Sequence, residues 1–253
     1  MRDESLVVNE IFFSVQGESR WTGLPCVFVR LTGCPLRCSY CDTAYAFREG
    51  RRMLLKEILA EVARYADPFR HAQLRLLGEG EASCQLPLVE VTGGEPLAQP
   101  AALPLLRMLC DEGYVVLLET SGALDIRPVD PRVRRIVDVK CPSSGEMERN
   151  RWENLEDLRP TDELKFVVGT VEDYEWARGQ IVGRALHRKC PVLVSWVHPL
   201  TPEQQDPSLN PVPSGQRPLT RRELVERLLA DALPVRFQLQ LHKFIWPADQ
   251  RGV

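Results

Sequence analysis

Long apolar runs are missing from this chain. No segment approaches the roughly 20 apolar residues that cross a bilayer, and the N-terminus, MRDESLVVNE, lacks the apolar stretch of a secretion signal. No membrane partner is expected, and the protein reads as soluble and cytoplasmic. A dominant charge is missing too: 35 acidic side chains face 32 basic ones, for a net charge of −3. Without a global field to attract a polyanion, nucleic acid is not expected as a partner. Internal repeats and low-complexity tracts are also absent. What remains is a 253-residue chain, 44% hydrophobic, able to bury a sizeable core at the length of one α/β-barrel domain or two small ones. That excludes a disordered or disulfide-stapled protein.

Paired short cysteine spacings are lacking as well. The eight cysteines are Cys26, Cys34, Cys38, Cys41, Cys84, Cys110, Cys141 and Cys190, and three of them fall in one eight-residue window. In a chain without a secretion signal such clustering points to metal or redox chemistry, and the five scattered cysteines read as small buried hydrophobes.

After the cysteine cluster, short aliphatic runs alternate with helix-period patterns, which is the α/β signature. The runs at 27–31, 88–91, 115–118, 136–139, 164–168, 192–197 and 237–241 predict buried parallel strands. Outer helices are predicted around Leu55, Ile58, Leu59 and Val62, around Leu105, Leu106 and Leu109, and around Leu224, Val225, Leu228 and Leu229. Almost every predicted strand runs into a cluster with chemical capacity: LTGC, VTGGEP, ETSG, DVKCPSSG, SWVHP and LHKF. In a (β/α) barrel these all lie on the rim that carries the site. Three of only five lysines, Lys140, Lys165 and Lys243, belong to the same rim. Segments 143–161 and 199–220 break the alternation and are expected to be loops, the second rich in proline; connections longer than about 12–15 residues are usually lids or disordered.

Cys34-Pro-Leu-Arg-Cys38-Ser-Tyr-Cys41 offers three thiolates from one loop directly after a predicted strand. Three such ligands can hold three irons of a cubane cluster and leave the fourth iron open. The alternative, structural zinc, normally takes four protein ligands in paired spacings. Thr92-Gly93-Gly94-Glu95-Pro96 follows the strand LVEV and by itself is a turn. Arg30 lies in an otherwise apolar strand, where an unpaired charge is costly, and suits either a carboxylate ligand or a structural ion pair. Asp42-Thr43 by itself reads as a helix N-cap.

The C-x3-C-x2-C loop with an aromatic before its last cysteine resembles the radical S-adenosylmethionine superfamily. The resemblance implies an α/β fold, a partial (β/α) TIM-like barrel of the radical SAM type. It implies that Cys34, Cys38 and Cys41 bind a [4Fe-4S] cluster, that Tyr40 contacts the adenosyl part of S-adenosylmethionine, and that Gly94 and Glu95 of the GGEP element hold the methionine ammonium. Ser14-Val15-Gln16-Gly17-Glu18, the PCVFVRLTGCPLRCSYCDT stretch and the terminal QLQLHKFIW resemble one family within it, the 7-carboxy-7-deazaguanine synthases. That family implies ring contraction of 6-carboxy-5,6,7,8-tetrahydropterin with loss of ammonia, in queuosine and 7-deazapurine biosynthesis. By the same resemblance Val15, Gln16, Gly17, Glu18, Arg30, Thr92 and His242 bind the pterin. Asp42, Asp138, Val139, Lys140, Ser195, Trp196, Val197 and His198 join Tyr40, Cys41, Gly94 and Glu95 around the cofactor, and Thr43 binds Mg2+. One domain spans 1–253, with a substrate-binding segment at 7–25 and the Pro-rich loop at 199–220. A flavodoxin or ferredoxin as electron donor and a homodimer are implied partners. Ser19 and Pro35 stand where the family pattern suggests Gly and Asn, and the chain runs on past Pro247. Another small radical enzyme, such as a glycyl-radical activase, and a zinc-stabilised interaction module are the alternatives.

Overall fold

The computed structural model describes residues 4–75 and 83–253. In chain order its elements are β1 (Ser5–Val15), β2 (Pro25–Leu31), β3 (Arg51–Leu54), α1 (Leu55–Ala66), β4 (Gln73–Arg75), β5 (Ser83–Gln85), β6 (Leu88–Gly93), α2 (Ala102–Asp111), β7 (Val116–Thr120), β8 (Arg134–Val139), β9 (Glu163–Val168), α3 (Val171–Gly183), β10 (Val192–Trp196), α4 (Arg221–Ala230), β11 (Arg236–Gln238) and α5 (His242–Ile245). Nine strands form one open sheet in the order β11-β10-β9-β8-β7-β6-β2-β1-β3, and β4 pairs with β5 separately. From β2 through β6 to β11 every neighbouring pair is parallel, while β1 and β3 close one edge antiparallel. This is the partial barrel, with one edge left open.

The strands read as continuous apolar runs because both of their faces are covered. Outside, α1 and α2 seal Val27, Val29, Leu31, Val89, Val91 and Leu118 with Ile58, Val62, Leu105 and Leu109. Farther along the sheet, Tyr174, Ala177 and Ile181 of α3 and Leu224 and Leu228 of α4 cover Leu164, Phe166, Val168, Val192 and Val194. Each fully buried aliphatic side chain contributes about 1.5–3 kcal/mol relative to exposure. Inside the curve, Phe12, Trp21, Cys26, Phe28, Leu88, Leu117 and Ile136 form a smaller plug.

Two residues farther along each strand, toward its carboxyl end, the inward positions turn polar. Leu88 is followed by Glu90, Leu117 by Glu119 and Ile136 by Asp138, and Lys165 lies opposite Asp138 in the β8–β9 register. Period-2 alternation thus places a polar layer directly above an apolar one.

Several expectations require correction. Strand β1 was not foreseen as part of the sheet, because a bulge between Val8 and Glu10 turns Leu6 and Val8 to the outer core but Phe12 to the inner one, erasing the simple alternation. Helix α3 was missed. Its apolar stripe is thin and interrupted by charge, although Thr170 and Asp173 form a reciprocal N-terminal cap that the sequence displays. Segment 143–161 is not a structureless connection: 3-10 turns at Pro142–Ser144, Met147–Arg149 and Trp152–Asp157 bury Ser144, Asn154 and Leu155, and Asn154 Nδ2 donates to the carbonyls of Gly122 and Leu124. Segment 199–220 is mostly irregular, with one turn at Pro202–Gln204 and a bridge from Thr170 to Pro218. The strand expected over 237–241 stops at Gln238, after which Leu241 N donates to Gly17 O and α5 begins. The side chain of Cys84 lies outside those described.

Candidate active site

The carboxyl ends of the parallel strands surround a cavity of about 250 Å3. Cys34, Cys38 and Cys41 line one wall of it, from the loop after β2. Burial pushes the Cys38 thiol up to about 11 and the Cys41 thiol up to about 12, so these sulfurs are protonated unless a metal centre takes them as thiolates. Among the described residues no three His, Cys, Asp or Glu side chains converge closely enough to hold a single metal ion. Three thiols offered by one loop suit a four-iron cluster, which takes one thiolate on each of three irons.

Backbone closeness at Gly94 explains the GGEP element. A Cβ added there would meet Gly33 O at 2.2 Å, and Gly94 N donates to Leu31 O while Glu95 N donates to Gly33 O. The glycine lets the end of β6 lie flush against the base of the cysteine loop.

Glu95 and Val139 do not line the cavity. The Glu95 carboxylate is fully buried and accepts hydrogen bonds from Leu97 N, Ser121 N, Ser121 Oγ and Thr120 Oγ1, joining the end of β6 to the end of β7. Val139 packs into the outer core. The other expected residues all line the cavity: Val15, Gln16, Gly17, Glu18, Arg30, Thr92, Tyr40, Asp42, Thr43, Gly94, Asp138, Lys140, Ser195, Trp196, Val197, His198 and His242.

Charge in the cavity is arranged as compensated groups. Lys140 Nζ donates to Asp138 Oδ2 at 2.6 Å, Lys243 Nζ to Asp42 Oδ2 at 2.5 Å, and Lys165 Nζ to Glu18 Oε2 at 2.9 Å and also to Glu119. Burial alone would raise Asp42, but the Lys243 ammonium outweighs it and holds this carboxyl well below the usual range. Glu18 is lowered in the same way by Lys165, whereas at Glu119 burial wins and the carboxyl is raised. Among the described residues Asp138 Oδ1, Ser195 Oγ and the Tyr40 hydroxyl are buried without a hydrogen-bond partner. Buried groups of this kind are normally satisfied, so they mark where a polar ligand would be received. These orphaned atoms and the three thiols fit the cluster and cofactor that the sequence implies.

Arg30 Nε donates to Glu10 Oε1 at 2.8 Å, and Tyr45 OH donates to the same oxygen at 3.0 Å. Gly17 is required for contact: a Cβ there would meet His242 Nδ1 at 2.4 Å. Burial lowers the His242 pKa. Thr43 precedes the 3-10 turn Ala44–Phe47 but makes no side-chain cap, which removes the plain reading of its hydroxyl; it donates instead to Asp42 Oδ1 at 2.9 Å. Ser19 adopts φ +64°, the left-handed region that glycine favours, with Oγ accepting from Trp21 N.

Glu90, Glu119 and Gln240 also line the cavity and were not anticipated, and so do the tail residues 248–253, whose part in the pocket the sequence left open. Glu90 and Glu119 carried a signal, as acids inside the buried runs LVEV and VLLET. The tail carried none. It is held by Gln204 Nε2 donating to Ala248 O and by Arg251, which pairs with Glu49 at 2.7 Å and lies 3.7 Å from the Tyr45 ring centre.

Comparison with known proteins agrees with this geometry. Residues 28–142 match the family model described as the Radical SAM superfamily. A 7-carboxy-7-deazaguanine synthase of Chlorobaculum tepidum is 43% identical over 251 residues, covering 98% of this chain and 97% of the relative. A protein of the same name from Koribacter versatilis is 40% identical, covering 97% and 99%. The crystal structure of QueE from Escherichia coli superposes with a TM-score of 0.64 at 22% identity, covering 94% of this chain and 95% of that one, a likeness of fold.

Proposed function

Because the chain belongs to the 7-carboxy-7-deazaguanine synthase family of radical S-adenosylmethionine enzymes, we propose that it contracts the ring of 6-carboxy-5,6,7,8-tetrahydropterin to 7-carboxy-7-deazaguanine with release of ammonia. One observation carries the proposal: a single cavity joins the three thiols to Gln16, Glu18, Arg30, Thr43 and His242. When bound, the cluster and S-adenosylmethionine supply a 5'-deoxyadenosyl radical able to take hydrogen from a substrate carbon.

The chain's own residues place the reactants and keep water out. Cys34, Cys38 and Cys41 hold the cluster, and Tyr40, Asp138, Lys140 and Ser195 receive polar groups of the cofactor. Arg30 keeps Nε on Glu10 and offers its terminal nitrogens to the substrate carboxylate, the planar fork that such a group accepts. Gln16, Glu18 and His242 meet the pterin edge. Thr43 would offer one hydroxyl to Mg2+, a cation that tolerates few protein ligands.

Among the described residues no helix is long and apolar enough to cross a membrane. A cytoplasmic enzyme, a flavodoxin or ferredoxin as reductant, and a homodimer complete the reading. Anaerobic incubation with S-adenosylmethionine, dithionite, Mg2+ and the carboxytetrahydropterin should yield 7-carboxy-7-deazaguanine in excess of free 5'-deoxyadenosine, with deuterium from C6 returning to recovered S-adenosylmethionine. The Cys38→Ala protein should lack the cluster by iron and sulfide analysis, and Cys190→Ala should keep it. Absence of the deazaguanine product from cluster-loaded parent protein would remove the assignment.

A further inference from the structure

At the floor of the cavity, on the inward face of β6, Glu90 is 2% exposed and the proposed ring contraction makes no use of it. In register it sits between Phe28 of β2 and Leu117 of β7, both in the apolar plug, so its strand neighbours there supply no charge. It accepts a hydrogen bond from Gln16 Nε2. The remaining part of that amide is also engaged: Gln16 Oε1 accepts from Glu18 N at 2.9 Å. The Gln16 backbone is fastened in turn, with its N–H on Leu24 O and its carbonyl receiving Gly23 N, both at 2.8 Å.

An amide has two N–H donors and one oxygen acceptor, and its two ends are similar in size. Left alone, Gln16 could turn either end toward a ligand. Here the Glu18 N–H can only donate, which fixes the oxygen end, and a carboxyl oxygen of Glu90 receives one proton of the nitrogen end. A single N–H then remains to face the cavity.

We propose that Glu90 is a positioning residue for substrate recognition, acting through Gln16: it locks the amide so that Gln16 presents an N–H to an acceptor on the edge of the heterocycle. The inference rests on the pterin reading and extends it by naming which hydrogen-bond pattern the floor demands. Surrounding charge does not contradict it. Glu119 from β7, Glu18 from the turn after β1 and Lys165 from β9 are the charged groups that act on Glu90, and Cys26 on β2 is the neighbouring thiol. Burial first, and Glu119 second, raise the Glu90 carboxyl well above its ordinary range, and even as the neutral acid it keeps a carbonyl oxygen able to accept from Gln16. A ligand that offers a donor where an acceptor is required would leave two hydrogens opposed and bind poorly.

Anaerobic equilibrium binding of 6-carboxy-5,6,7,8-tetrahydropterin to the cluster-loaded, full-length protein tests this. Failure of the parent to bind the pterin would reject the function reading itself. Given binding by the parent, Glu90→Met, which fills similar space without an acceptor, should weaken the pterin about tenfold, while S-adenosylmethionine affinity and cluster content stay at parental values. Gln16→Met should weaken it comparably, and the double substitution should be no worse than either alone, because one residue works through the other. Glu90→Gln keeps an acceptor oxygen and should stay within about threefold of the parent. Parental affinity in Glu90→Met, full additivity in the double variant, or a tenfold loss in Glu90→Gln would each overturn the proposal, and the Gln variant decides alone should the Met variant not fold.

Discussion

Replacing Glu95 by Gln separates two roles for the same carboxylate. The family resemblance assigns Glu95 to the cofactor ammonium, whereas in the structure it fastens the carboxyl ends of β6 and β7 together from a fully buried position. Its Oε1 accepts from Leu97 N at 2.9 Å and its Oε2 from Ser121 N at 2.7 Å. Both donors are backbone groups that cannot turn away, unlike the hydroxyls of Thr120 and Ser121. A Gln side chain has one oxygen, so in either orientation its NH2 confronts one of those N–H groups. A hydrogen bond to a charged acceptor contributes about 1.5–3 kcal/mol and a stranded buried donor costs about 1–3 kcal/mol, so partial relaxation still leaves a loss of roughly 2–4 kcal/mol. Against a total of about 5–15 kcal/mol for a typical domain this is a large fraction. Urea unfolding followed by far-UV circular dichroism, under anaerobic conditions, should show the lower midpoint with an unchanged slope. Folded Glu95→Gln protein should bind S-adenosylmethionine within about threefold of the parent. A variant as stable as the parent within about 0.5 kcal/mol but with strongly weakened cofactor binding would refute the fastening role.

Thr43→Val keeps shape while removing the oxygen, and should abolish Mg2+ stimulation of turnover while S-adenosylmethionine still binds; an unchanged Mg2+ response would return Thr43 to a purely local role. Arg30→Lys keeps charge but not the fork, so calorimetry should show pterin binding weakened about tenfold with thermal stability nearly unaltered. Lys165→Met strips the cation from Glu18 and Glu119, and a buried pair that loses one member is destabilised by about 3–5 kcal/mol. Lys165 lowers the folded-state pKa of both carboxyls, so its loss raises both relative to the parent, the variant's native state holds the extra protons, and the stability deficit should widen as pH rises from 5 to 8; a deficit that shrinks over this range would contradict the pairing.

What the sequence by itself determined is local and periodic. Aliphatic runs such as VFVR and LKFVV pointed to strands buried on both faces, and three thiols within eight residues pointed to a metal or redox loop. Because parallel strands all end on the same side, the residues at the carboxyl end of each run were enough to collect Cys34, Thr92, Asp138, Ser195 and His242 on one rim. Glu90 and Glu119 were legible as acids within apolar strands, but not the partners that make them tolerable there. Those partners come from far away in the chain: Gln16 lies 74 residues from Glu90, and Lys165 lies 46 from Glu119 and 147 from Glu18. Tertiary structure also decided the place of Glu95, since its partners Thr120 and Ser121 sit at the end of the next strand, and it decided which way β1 faces, since one bulged residue exchanges inside for outside. The tail is the plainest case. Nothing in ADQRGV predicts a cavity wall; the hydrogen bond from Gln204 to Ala248 O, the pairing of Arg251 with Glu49 across 202 residues and its stacking over Tyr45 put it there, because hydrogen bonding and charge pairing depend on distance in space, which periodicity along the chain does not encode.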